Sequence, residues 1–142
     1  MSKLVLKLYG NPDIDIREEE LNDSAEVIAD KKKYPFLARQ IAVLQVYYGQ
    51  KKYCLHNPQN YKYDGATIPF GLCKGNPKLL VPSLFHDLMC QDKSLIGYNR
   101  FLSSLIFYKL LRMFKVNFVF AFIMFVFVDL WQRHIREWKR EK

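Results

Sequence analysis

Apolar residues recur at positions 101, 102, 105, 106, 110, 111 and 114 of "YNRFLSSLIFYKLLRMFK", with polar residues between them. That spacing closes one face of a 3.6-residue helix. Just upstream, "NPKLLVPSLFHDLMCQD" predicts a helix with Pro82 in its first turn, where a missing N–H is tolerated, running to about Cys90. Downstream, Asn117 opens "FVFAFIMFVFVDLWQRHIREWKREK", read as one long helix.

The front half follows a shorter period. "KLVLKLYG" alternates in part and reads as a strand stopped by Gly10-Asn11-Pro12. "QIAVLQVYYG" ends in β-branched and aromatic residues, and "QKKYCLHNP" follows as its hairpin partner, with the turn near Gly49-Gln50. Between them, Ile14 and Ile16 predict a short strand and the rest of the polar, acidic segment 13–30 a loop or weak helix. "NYKYDGATIP" continues as an extended segment. The fold class expected is α+β: a small N-terminal antiparallel β unit packed on about three C-terminal helices. The 142 residues fit a single domain, β-rich over 1–75 and helical over 76–142.

The last helix raises a membrane question. Its unbroken apolar core, Phe118 to Val128, is eleven residues, whereas a bilayer span needs about twenty. Extending it backward takes in Lys109, Arg112 and Lys115, each costing about 2.5–3.5 kcal/mol near a helix centre. The expectation is therefore a helix buried on all sides, in a compact core or a dimer interface. Interfacial membrane binding is the alternative, because Trp131, Trp138 and the cations that follow Gln132 resemble a membrane-flanking pattern.

Charge changes the picture further. The net charge is +8, but residues 1–30 carry three Lys/Arg against eight Asp/Glu, and residues 31–142 carry nineteen against six. Such a split predicts an acidic segment lying across a basic body, or a basic face for an anionic partner. The three cysteines, Cys54, Cys73 and Cys90, have no repeated short spacing, which points to a reducing compartment. With no signal-peptide pattern at "MSKLVLKLYG", a cytoplasmic location is expected.

Candidate chemistry centres on two carboxylates set in apolar or aromatic surroundings. Asp64 begins a turn with Gly65, and Pro69 then holds Ile68 extended after Thr67. Asp87 follows His86 on the helix opened by Pro82. A half-buried imidazole needs a partner for at least one ring nitrogen. Asp64 is a suitable one, while Asp87 could bind backbone or Arg100. As a catalytic set, Asp64, His86 and Asp87 would suit a hydrolase, with acid–base work or a divalent metal; no cofactor motif is present. Cys54, His56, His86 and Cys90 could together hold zinc, although their spacing matches no recognised ligand pattern. No activated nucleophile is visible.

The pair "YDGATIP" and "SLFHDLM", followed by "NRFLSSLIFYKLLRMFKV" and a terminal apolar helix, resembles a phage- and prophage-associated family, domain of unknown function family 1353. The likeness covers roughly residues 40–131. It singles out Asp64, Gly65, Ile68, Pro69, His86, Asp87 and Arg100, and implies a phage-encoded protein in the infected bacterial host or the virion. Where that family places an acidic residue shortly after the arginine, this chain has Ser103-Ser104. The departure, with the absent nucleophile, favours an accessory protein that binds a host or virion partner over an enzyme. The basic-aromatic end of the chain, Trp131, Arg133, Arg136, Trp138, Lys139 and Arg140, is the contact surface expected, for a protein or a non-specific anionic partner; a membrane surface is the remaining option.

Overall fold

The computed structural model describes residues 3–64 and 76–134, the side chains of Trp131, Arg133 and His134 excepted. Six strands come first: β1 (Leu4–Tyr9), β2 (Ile14–Ile16), β3 (Phe36–Ala38), β4 (Val43–Tyr48), β5 (Lys51–His56) and β6 (Tyr61–Tyr63). Helix α1 (Ala25–Lys33) interrupts them, and α2 (Leu80–Gln91), α3 (Arg100–Met113) and α4 (Phe118–His134) follow. The expected α+β class is what the chain adopts.

The strands form two small antiparallel sheets rather than one. The first has the order β1-β4-β5, with Leu4 opposite Tyr48 and Tyr9 opposite Val43. Its β4–β5 hairpin turns at Gly49-Gln50, with Gly49 at a positive φ of 62°. Alternation decides its faces: Leu44, Val46 and Leu55 point into the core, while Lys52, Cys54 and His56 are exposed. The second sheet, β2-β3-β6, is only three residues deep. Its central strand, β3, had no clear signal, because three residues are too few to show a period. It is set by tertiary contacts: Phe36 packs on Tyr63 with ring centroids 5.3 Å apart.

The acidic segment does lie across basic residues. Asp15 pairs with Arg39, Asp23 with Lys31 at 2.7 Å, and Asp30 with both Arg17 and Lys62 at 2.8 Å. These contacts hold α1, which buries none of its own residues and begins at a Ser24 cap. The lysine and arginine beside Asp30 hold its carboxyl below the usual range, as Lys31 does for Asp23.

The two halves share one core. Residues of both sheets meet Leu84, Phe85 and Met89 of α2, Leu102, Ile106 and Phe107 of α3, and Ala121, Met124 and Val128 of α4. Helix α2 is the centre: every residue from Pro82 to Cys90 is buried. It packs on β5 and α3, and α3 in turn carries α4. Gly97, in the left-handed region at φ 64°, ends a short turn after α2 and lies so close to Tyr53 that an added Cβ would stand 3.3 Å from its hydroxyl.

Within the single chain, the compact-core form of that expectation fails: helix α4 is not buried on all sides. Phe118, Val119, Phe122, Ile123, Val126 and Leu130 are exposed, Phe118 by 59% and Ile123 by 57%. The reason is geometric: α4 lies at the edge of the helical layer, where α3 covers one of its faces only.

Candidate functional site

His86 sits in the middle of α2, fully buried, with its ring 5.1 Å from that of Phe107. Its Nε2 lies 2.8 Å from Gln132 Nε2 of α4, and its Nδ1 lies 3.7 Å from Cys90 Sγ one turn along α2. With the Gln132 amide donating, Nε2 accepts and the ring proton falls on Nδ1, facing the sulfur. Gln132 is thus a group that orients the imidazole.

The cluster continues into α3. Ser104 Oγ is 2.9 Å from Gln132 Oε1 and 3.0 Å from Asp129 Oδ1. Ser103 Oγ donates to the Arg100 carbonyl at 2.8 Å and accepts from Gln132 Nε2 at 3.0 Å. Arg100 closes the chain of contacts with a short ion pair to Asp129. Among the described residues, the polar contacts of its side chain go to Asp129, so of the two alternatives for Asp87 the one through Arg100 is not taken. One polar path thus runs from Cys90 and His86 through Gln132 and the two serines to Asp129 and Arg100. It joins three helices inside an apolar core.

The serines are the departure from the resembled family, and their surroundings give it a physical sense. A carboxylate does stand beside Arg100, but it comes from Asp129 of α4. Asp129 and Gln132 are not among the residues that the motifs single out. Their signal was there: they are the only two polar residues between Phe118 and Gln132, and three positions place them on one helical face.

Asp87 takes part in a second cluster at the end of β6. It is 4% exposed, and Oδ2 accepts from Tyr61 Oη at 3.2 Å and from Gln91 Nε2 at 3.1 Å. Burial raises the Tyr61 hydroxyl well above its ordinary range, and the Asp87 and Asp64 charges reinforce the shift. Asp64 is thereby placed near Tyr61 and partly exposed. Tyr63 anchors the same strand by donating to the Leu80 carbonyl at 2.9 Å. The rest of the turn motif, Gly65, Thr67, Ile68 and Pro69, lies outside the described residues.

For metal chemistry, no three His, Cys, Asp or Glu side chains converge among the described residues. Cys54 and His56 share the outer face of β5, as their spacing suggested, while His86 and Cys90 are buried in the core, so the four do not form a zinc site. Ser83 Oγ, three residues before His86, is the one buried side-chain polar atom among the described residues that lacks a hydrogen bond. Of the expected contact surface, Trp131 and Arg133 fall within α4 but their side chains are not described, and Arg136, Trp138, Lys139 and Arg140 lie outside the described residues.

Comparison with protein-family models, with curated proteins and with solved structures finds no match to this chain. The family resemblance therefore stands on the two motifs and their order alone.

Proposed function

We propose that this is a phage-type accessory protein that acts by binding a host or virion partner through its surface. In this reading His86, with Asp64 and Asp87, is mainly structural. The observation that carries it is the complete burial of His86, whose two ring nitrogens face Gln132 and Cys90. A general base or metal ligand needs a path to substrate, and a ring spoken for on both nitrogens has little left to offer.

The cluster has a task of its own in this reading. Buried polar groups are costly unless paired, so Gln132 and Asp129 permit only one rotation of α4 on its neighbours. That rotation turns Phe118, Phe122 and Ile123 outward. The network thus sets the orientation of the contact face without touching the partner. The setting inferred from the motifs is the cytoplasm of an infected bacterium, or the virion.

Two measurements test the reading. His86→Ala is expected to destabilise the fold by about 1–3 kcal/mol, since Gln132 and Cys90 each lose one of their partners. Retained stability in a thermal melt, with loss of biological effect, would point back to the hydrolase. Second, a benzoylphenylalanine photo-crosslinker at position Phe122 of the full chain, expressed in bacteria, is expected to give adducts. Absence of any adduct there counts against a contact role for this face.

A further inference from the structure

The outward face of α4 carries Phe118, Val119, Phe122, Ile123, Val126 and Leu130. Together they leave on the order of 500 Å² of apolar surface open to water, near the top of the range of about 300–600 Å² for the largest patch on a monomer. Beside it, Leu105, Tyr108, Phe118, Phe122 and Phe125 line an apolar groove of about 320 Å³. None of these apolar side chains can donate or accept a hydrogen bond.

One end of this face is cationic. The Arg112 guanidinium stands 5.8 Å over the Phe118 ring, and Lys78 reaches the Lys115 carbonyl at 3.4 Å, so three exposed cations gather where α4 begins. Lys115 takes φ 64°, a left-handed position where glycine is least strained, yet a long cation occupies it. From residue 93 to 136 the only acidic residue is Asp129, which is already paired with Arg100.

Resting on the surface-binding reading above, we infer that the partner of this face is an anionic lipid bilayer, with α4 lying along the surface. Three comparisons favour lipid over a second protein copy. A stable protein interface needs about 800 Å² per partner, more than this patch offers. Such interfaces also carry about ten hydrogen bonds, and the apolar side chains that make up most of this face can form none, whereas acyl chains require none. The cations match the negative potential of anionic headgroups.

Geometry sets the depth. Over the described residues α4 spans 17 residues, about 25 Å, short of the roughly 30 Å of a bilayer's hydrocarbon core. No helix among the described residues is long and apolar enough to cross a membrane. The opposite face of α4 stays committed to α3 through Ala121, Met124, Val128 and Gln132. Only the outer face therefore enters the bilayer, to about the boundary between headgroups and acyl chains.

The test is flotation of the full chain with vesicles of phosphatidylglycerol mixed into phosphatidylcholine, against vesicles of phosphatidylcholine alone. Wild-type protein is expected to float with the anionic vesicles, less so as salt is raised. Phe122→Asp with Ile123→Asp is expected to abolish flotation. Arg112→Gln with Lys115→Gln should weaken it about 25-fold, roughly fivefold for each cation lost near the surface. Melts equal to wild type show that the variants are folded; if the aspartates unfold the chain, Phe122→Ser with Ile123→Ser carries the same test.

Equal binding to neutral and anionic vesicles overturns the role given to the cations. No flotation, combined with protein adducts from the photo-crosslinker at Phe122 or with a dimer that Phe122→Asp dissociates, overturns the lipid partner and leaves the surface-binding reading standing. No flotation and no adduct overturns both.

Discussion

Helices α2 and α4 are both dominated by apolar residues, α4 the more so, yet their surroundings are opposite. Every residue of α2 from Pro82 to Cys90 is buried, His86, Asp87 and a serine included. On α4, Ala121, Met124, Val128 and Gln132 are buried, and seven large apolar side chains, Phe127 among them, face water. Composition does not decide which helix becomes the core. Position does: α2 is enclosed by the first sheet, the short turns around it and α3, while α4 is covered from one side. An apolar helix at the edge of a fold keeps a face for something else.

The contrast should be largest in stability. Phe85→Ala on α2 removes a fully buried ring and is expected to cost about 3–5 kcal/mol in urea denaturation. Next in size is Gln132→Ala, where the two helices meet. It leaves His86 Nε2 and the Ser104 hydroxyl short of a partner, for a loss of roughly 2–3 kcal/mol. A negligible loss would mean that the polar path does not fix α4 on its neighbours.

A pH-dependent effect follows, smaller and confined to alkali. The Tyr61 hydroxyl is raised in the folded chain by burial first and the Asp87 charge second. An unfolded tyrosine ionises near pH 10, so above that value the unfolded chain loses a proton that the folded chain retains. The associated stability is complete below about pH 10 and is lost as pH climbs toward the raised value. Tyr61→Phe should flatten that part of a stability-against-pH curve and leave the neutral region's shape unchanged. A slope identical to wild type would show that the Tyr61–Asp87 contact does not persist in solution.

The smallest effect belongs to the outer face of α4. Phe122→Ala should alter stability by no more than about 0.5 kcal/mol, as at other exposed sites. A loss approaching that of Phe85→Ala would break the comparison, because it would mean the face is already covered in dilute solution.

Much of the fold was legible in the chain itself. The β1 strand, the β4–β5 hairpin and the three C-terminal helices follow from hydrophobic period, turn dipeptides and caps such as Asn99 and Asn117, all of which act over a few residues. The apolar neighbours of His86 predicted a half-buried ring; its complete burial, and that of Asp87, came from packing. What local pattern could not supply was pairing across distance. Strand β3 exists because Tyr63 and Ile16 come to lie beside it. His86 meets Gln132, Arg100 meets Asp129 and Asp87 meets Tyr61 across separations of 46, 29 and 26 residues, where periodicity is silent. The exposed face of α4 was hidden for the same reason. An apolar run states that a helix avoids water; only the packed neighbours decide which of its sides is left uncovered.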